Sequence, residues 1–431
     1  MTRLRHAVAA AATAVLAALT AASVVAPAHA LTPRKSKAYD TELRAAINDI
    51  QGFWTASMPK VYGHAYLPLS HGVYAYSAGS VIPKCGSDLS IPYHFVANNA
   101  FYCKEGDFVA WDDEGLFPEL YSKYGSFAMG VVLAHEWGHV IQARAGIAAF
   151  EVQHEQQADC FAGAWTSHVA RGGTKVKYEL GDLEAAMQAF VGFADKPGYS
   201  AKSMGAHGNA FDRVAAFQDG FDNGARKCAA YATSAPTMTE QRYRTMSDAL
   251  HRGNATWEEA IPLVKASLVD YWGAQGQTNP VVLQAEATDR ELTCKPSDRL
   301  LADPGVKGMY YCKADDTLRM DVKKMFRLLQ SRGDFALGTL MAEGWAKTMQ
   351  FRSGVTIETP QTRRQADCWA GAWAGAAFRG EGSNRLNLSP GDLDESVDVI
   401  LEGAKRGEPT ATFARVGSFR KGFFADRKAC P

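Results

Sequence analysis

The chain is written twice. From Gly125 to Gln142 it reads Gly-Ser-Phe-Ala-Met-Gly-Val-Val-Leu-Ala-His-Glu-Trp-Gly-His-Val-Ile-Gln. From Gly333 to Gln350 it reads Gly-Asp-Phe-Ala-Leu-Gly-Thr-Leu-Met-Ala-Glu-Gly-Trp-Ala-Lys-Thr-Met-Gln. Aligning the halves pairs Cys85 with Cys294, Cys103 with Cys312, Cys160 with Cys368 and Cys228 with Cys430. A fold for this sequence must therefore be two similar units, each carrying four cysteines in matching places. Glu343, Gly344 and Lys347 stand where the first half has His135, Glu136 and His139. Comparison of the halves thus separates scaffold, which both keep, from chemistry, which only one keeps.

The 431 residues are enough for two sizeable cores, and 47% hydrophobic with 21% charged content is ordinary for folded protein. Residues 1–30 combine a charged start at Arg3 and Arg5, an Ala/Val-rich apolar run and Pro27-Ala28-His29-Ala30, which reads as an export signal cleaved after Ala30. No later segment approaches the roughly 18 apolar residues of a membrane span. The expected location is secreted, with no stable membrane span after signal removal. Forty-six basic and forty-six acidic residues balance, which removes the electrostatic argument for a nucleic-acid partner. All eight cysteines follow the leader, so disulfides are expected. A duplicated unit closes its own bridges, and among the pairings left we favour Cys85 with Cys103, Cys160 with Cys228, Cys294 with Cys312 and Cys368 with Cys430. Residues 229–239 are rich in Ala, Ser, Thr and Pro, which suits a boundary near 235. The expected domains are 31–235 and 236–431.

Residues 101–112 read as a short hairpin around the polar Lys104–Asp107 turn, echoed at 309–321. Helices are expected at about 126–145, stopped by Gly146, at 155–171, stopped by Gly172-Gly173, from Asp182, and at about 211–226. Phe53-Trp54 and Tyr271-Trp272 suggest that each unit opens with a helix ending in a buried Trp. The fold class is α+β, predominantly helical, with a small hairpin or sheet per unit and disulfide staples.

On a helix, residues four apart lie on one face, so His135 and His139 reach a common point. Glu136, beside the first of them, is placed to take a proton from an activated water, and His-Glu-x-x-His is a known zinc-site pattern. The apolar Val131–Ala134 segment buries this helix, and buried histidines need a partner. A catalytic zinc needs a third protein ligand. Glu155 is the choice, because the second half has Arg363 there; His154, replaced by Thr362, is the runner-up. Asp159 persists as Asp367 and reads as scaffold, orienting a ligand or pairing with Arg213, whose counterpart Arg415 also survives. Cys160 persists as Cys368 and so is not favoured as a ligand. Ala158, Ala162 and Gly163 recur and are expected to let the second helix approach the first. His207 is a candidate donor to a developing oxyanion, with a plain surface histidine the competing reading. The strand at Phe108–Asp112 could pair with an extended substrate, but its survival in the second half favours core structure.

Cys85-Gly86, Phe101-Tyr102-Cys103, His135 to Gln142, Glu155 to Trp165, and His207-Gly208 with Arg213 and Phe217 together resemble the putative neutral zinc metallopeptidases, relatives of the gluzincins, over residues 50–230. The resemblance implies zinc held by His135, His139 and Glu155, with Glu136 as catalytic base and a protein or peptide as substrate. Residues 240–431 depart from the pattern, keeping Gln365 to Trp373 without the histidines, and read as a degenerate copy, so one zinc per chain is expected. A different class, a non-catalytic secreted binding or structural protein, is the alternative.

Overall fold

The computed structural model describes residues 35–86, 91–148, 151–179, 181–203, 205–285, 294–303, 306, 308–381, 386–402 and 409–431. The expected export leader lies outside them. The first half runs α1 (Asp40–Tyr62), β1 (Gly72–Tyr76), α2 (Tyr93–Val96), β2 (Ala100–Cys103), β3 (Phe108–Asp112), α3 (Leu116–Ala145), α4 (Glu151–Ala170), α5 (Asp182–Gly192), α6 (Ala210–Asn223) and α7 (Ala225–Ala229). The second runs α8 (Met246–Leu250), α9 (Trp257–Gly273), β4 (Val281–Ala285), β5 (Arg299–Leu301), β6 (Met309–Cys312), β7 (Thr317–Asp321), α10 (Val322–Arg332), α11 (Asp334–Arg352), α12 (Pro360–Arg379), α13 (Asp392–Glu402) and α14 (Pro409–Ala425). Both halves are mostly helical with a small sheet, the expected α+β class.

The predicted hairpin forms: β2 and β3 run antiparallel, with Cys103 opposite Phe108 and Ala100 opposite Trp111. A strand absent from the sequence reading, β1, runs parallel to β3, so β3 is central and β2 an edge. All five β3 residues are buried, as expected of a strand with neighbours on both sides and packing on both faces. The second sheet repeats this with β7 between parallel β4 and antiparallel β6, and adds β5 beyond β6. No described helix is long and apolar enough to cross a membrane.

The helix bearing the two histidines begins earlier than its sequence suggests. Gly125 adopts φ 81° and breaks α3 into two stretches, a conformation open to glycine at little cost; the part after the break is the expected one, capped by left-handed Gly146. Trp54 is buried as expected but lies two turns before the end of α1, whereas Trp272 does close α9. The four disulfides have the favoured connectivity, Cys85–Cys103, Cys160–Cys228, Cys294–Cys312 and Cys368–Cys430. Gly163 departs from its expected role. A Cβ there would lie 1.9 Å from the Phe217 carbonyl oxygen of α6, so Gly163 serves the α4–α6 contact. The close approach of α3 to α4 rests on Gly138, whose Cβ would stand 2.6 Å from Cα of Ala158.

One apolar core runs through both halves. They meet through α5 and α6 of the first and α13 and α14 of the second. Ring pairs there recur with the halves exchanged: Phe211–Phe423 at 5.0 Å answers Phe413–Phe221 at 4.8 Å, and Phe211–Phe419 at 6.3 Å answers Phe413–Phe217 at 6.4 Å. The connecting segment is pinned at its end, where buried Thr239 donates its N–H (2.7 Å) and hydroxyl (2.9 Å) to the Asp212 carboxylate. Because no small shift relieves a clash with backbone, Gly163→Ala is expected to lower unfolding free energy by about 1–3 kcal/mol. The exposed helical Gly52→Ala, with nothing within 4 Å of the new methyl, should instead be neutral or stabilising by up to about 1 kcal/mol. Denaturant titration of the two variants checks the contrast.

Candidate metal centre

One turn of α3 sets the His135 and His139 rings 4.9 Å apart and nearly perpendicular. The α4 helix, packed close through Gly138 and Ala158, delivers Glu155 opposite them. Its carboxylate oxygens lie 3.2 Å from Nε2 of His135 and 3.3 Å from Nε2 of His139. One ligand atom from each of the three residues can be chosen so that all lie within 4.8 Å of one another. Zinc bonds of about 2.0–2.2 Å in tetrahedral array put ligand atoms roughly 3.3 Å apart. The spacing therefore fits zinc.

The outer nitrogens fix which way each ring faces. Nδ1 of His135 lies 2.7 Å from an Asp159 oxygen, and Nδ1 of His139 lies 2.8 Å from Oε1 of Gln142. Gln142 is itself oriented, because its Nε2 donates to the His154 carbonyl at 2.7 Å and to Oε1 of Gln157 at 3.1 Å. Each histidine must donate through Nδ1, which directs the Nε2 atoms and a carboxylate to one point, an arrangement that calls for a cation. Asp159 is gripped in turn by the Arg213 guanidinium at 2.9 and 2.8 Å, and Arg213 also donates to the Phe193 carbonyl at 3.0 Å.

The titration behaviour reflects the same pull for positive charge. Burial disfavours charged His135, yet Asp159 and Glu155 outweigh it and push the ring up to about 10. His139 is raised as well, burial being overcome chiefly by Glu155. Burial would raise the Glu155 carboxyl, but the two histidines hold it well below the usual range. Burial raises Glu136, with the two histidines opposing, the direction expected of a carboxylate that must accept a proton near neutrality.

These groups line an open cleft of about 350 Å³ with Asn99–Tyr102, Lys104, Gln142, Ala143, Ile147, His154 and His207. His154, the runner-up ligand, borders the cleft but is not among the converging three. His207 is half-exposed, with Nδ1 3.6 Å from Asp195, whose other oxygen accepts the Gly208 N–H at 2.7 Å. Asp195 escaped sequence reading, since it lies outside every repeated motif. The cleft wall is β2 and the residue before it; β3, the strand first considered for substrate pairing, is enclosed by its neighbours.

In the second half the same frame holds other chemistry. Arg415 grips Asp367 at 2.9 and 2.8 Å, as Arg213 grips Asp159. Gln350 bonds the Thr362 carbonyl and Gln365, as Gln142 bonds its equivalents. Glu343 is buried 3.4 Å from Arg415, and Lys347 is buried 3.6 Å from Glu358. Among the described residues no His/Cys/Asp/Glu triad converges at this place.

A family model matches most of the first unit. Residues 45–231 match the family described as putative neutral zinc metallopeptidase. The match ends before the second unit. The chain is 27% identical over 218 residues to an uncharacterized Escherichia coli K12 protein, YpfJ, covering 45% of this chain and 71% of that one. It is also 27% identical over 205 residues to uncharacterized proteins of Mycobacterium tuberculosis and Mycobacterium bovis, covering 41% of this chain and 65% of theirs. No solved structure matches it.

Because Asp159 fixes the His135 ring, Asp159→Asn is expected to weaken zinc binding about 10- to 100-fold, measured by competition with a chromogenic chelator. Zinc must displace the proton that a raised His135 carries at neutral pH. Binding should therefore release protons and weaken as pH falls, which calorimetry in buffers of different ionisation heat detects.

Proposed function

We propose that the first unit is a secreted zinc-dependent peptidase, with one zinc per chain held by His135, His139 and Glu155, and that the second is a degenerate copy without a metal. The observation that carries this reading is the convergence of three ligand atoms, with Glu136 beside them, in a cleft walled by an edge strand. An extended peptide laid along β2 gains backbone hydrogen bonds there and crosses the cleft beside Glu136. Zinc, when bound, supplies Lewis acidity that lowers the pKa of water towards about 7 and polarises the scissile carbonyl. Glu136 takes the proton of the attacking water on its carboxylate and passes it to the departing amide nitrogen. His207, steadied by Asp195, donates to the carbonyl oxygen as it gains negative charge. Export agrees with four disulfides, which persist in oxidising compartments.

Glu136→Gln removes the proton acceptor while leaving the ligands in place. The variant should retain one equivalent of zinc per chain by metal analysis and lose about 10²- to 10⁴-fold in cleavage of a quenched peptide library. Undiminished cleavage would overturn the mechanism. Bound zinc without chelator-sensitive cleavage in the wild type would favour a non-catalytic binding protein.

A further inference from the structure

A carboxylate of the second unit holds the start of the helix that follows His207. Asp394, on α13, accepts the backbone N–H of Phe211 at 2.8 Å. That N–H belongs to the first turn of α6, where donors have no partner within the helix; burial pushes the Asp394 carboxyl up to about 7, with the hydrogen bonds from Phe211 and Ala210 opposing. The side chain of Asn209 serves the same turn from within the first unit, accepting the Asp212 N–H at 2.8 Å. The start of α6 is thus held from both units.

Two parts of the site hang on this turn. His207 precedes the N-cap by two residues, and its neighbour Gly208 is tied to Asp195 by an N–H to the carboxylate at 2.7 Å and a carbonyl accepting the Asp195 N–H at 2.9 Å. Arg213, one turn into the helix, forks onto Asp159, which holds His135. The loop before α13 adds a second contact. A Cβ at Gly391 would stand 3.0 Å from Cγ of Pro197, and Ser389–Gly391 share one cavity wall with Asp195–Gly198.

We propose that Asp394 is a positioning residue for the first unit's reaction, through which the degenerate unit sets the start of α6 and so places His207 against the metal centre. This rests on the peptidase reading above, with His207 as donor. It gives the second unit a catalytic consequence although none of its described residues lines the cleft.

The test uses the full chain with zinc. Asp394→Ala removes the acceptor, whereas Asp394→Asn keeps an oxygen for the Phe211 N–H. Displacement of a catalytic donor by a remote substitution costs about ten- to a hundredfold, so Asp394→Ala should lower kcat by that order on a quenched peptide. KM and zinc content should stay within about twofold, the pattern of an interaction felt in the transition state. Asp394→Asn should recover most of the loss. In a His207→Ala background, Asp394→Ala should cost less than about twofold more, because residues acting through one another are not additive. An unchanged kcat in Asp394→Ala, equal impairment in Asp394→Asn, or an undiminished effect without His207 would each overturn the proposal.

Hydrogen exchange at the amides of residues 205–212 reads the anchor without any substrate. Faster exchange in Asp394→Ala with zinc retained supports it, and unchanged exchange overturns it. A wild type that cleaves nothing defeats the peptidase reading, while the exchange measurement still judges the anchor. Asp394→Ser replaces the alanine variant should that one fail to fold.

Discussion

A buried carboxylate gripped by an arginine joins α4 to α6, and its counterpart joins α12 to α14. The pairs are Asp159 with Arg213 and Asp367 with Arg415, each with contacts of 2.9 and 2.8 Å. Removing one partner of such a pair strands a charge in the interior, at a cost of about 3–5 kcal/mol. The pair therefore stays while its surroundings change. Around it the helices are drawn together, with Gly163 and Gly371 allowing the Phe217 and Phe419 carbonyls to approach, and with Cys160 and Cys368, each next to the carboxylate, tied to the segments that follow α6 and α14. In the first unit the carboxylate also fixes His135.

Dependence on one shared ion pair lets the two halves carry different side chains at the candidate site and its counterpart on one frame. The side chains at these positions sit on faces already buried by α3 and α4, or by α11 and α12, so a different set needs only a different local charge balance. In the second unit Arg415 serves Asp303, Asp367 and Glu343 together. Lys347 and Arg363 stand where the first unit has His139 and Glu155, and both lie near Glu358. Where the first unit gathers electron pairs that call for a cation, the second has side-chain cations of its own. The interface through α5, α6, α13 and α14 keeps the same exchanged phenylalanine pairs whichever side chains occupy the two centres.

Much of this was legible in the residues, and the reason is local. Helix spacing puts His135 and His139 on one face wherever the helix lies, a glycine stop marks its end at Gly146, and the polar Lys104–Asp107 turn sets β2 against β3. The internal repeat did the rest, since the absence of Glu155 along with the histidines from the second half, and the presence of Asp159 in both, separated the three side chains that converge from the one that orients His135. Where the reading strayed, a partner distant in sequence was decisive. Gly163 looked like a contact between α3 and α4 but faces α6. Trp54 is buried two turns inside its helix. Asp195 carries no motif and matters because a loop folds it back to Gly208 and His207.

By itself, then, the sequence determined the repeated frame, the helix that presents two histidines, the cysteine positions and the difference between the halves, all of which follow from spacing along the chain. Tertiary structure decided that β2 is the edge along the cleft, that Asp195 steadies His207, and that Asp394 of one unit caps a helix of the other. These depend on which surfaces pack together, a choice made by side-chain volume and long-range burial that periodicity along one chain does not encode.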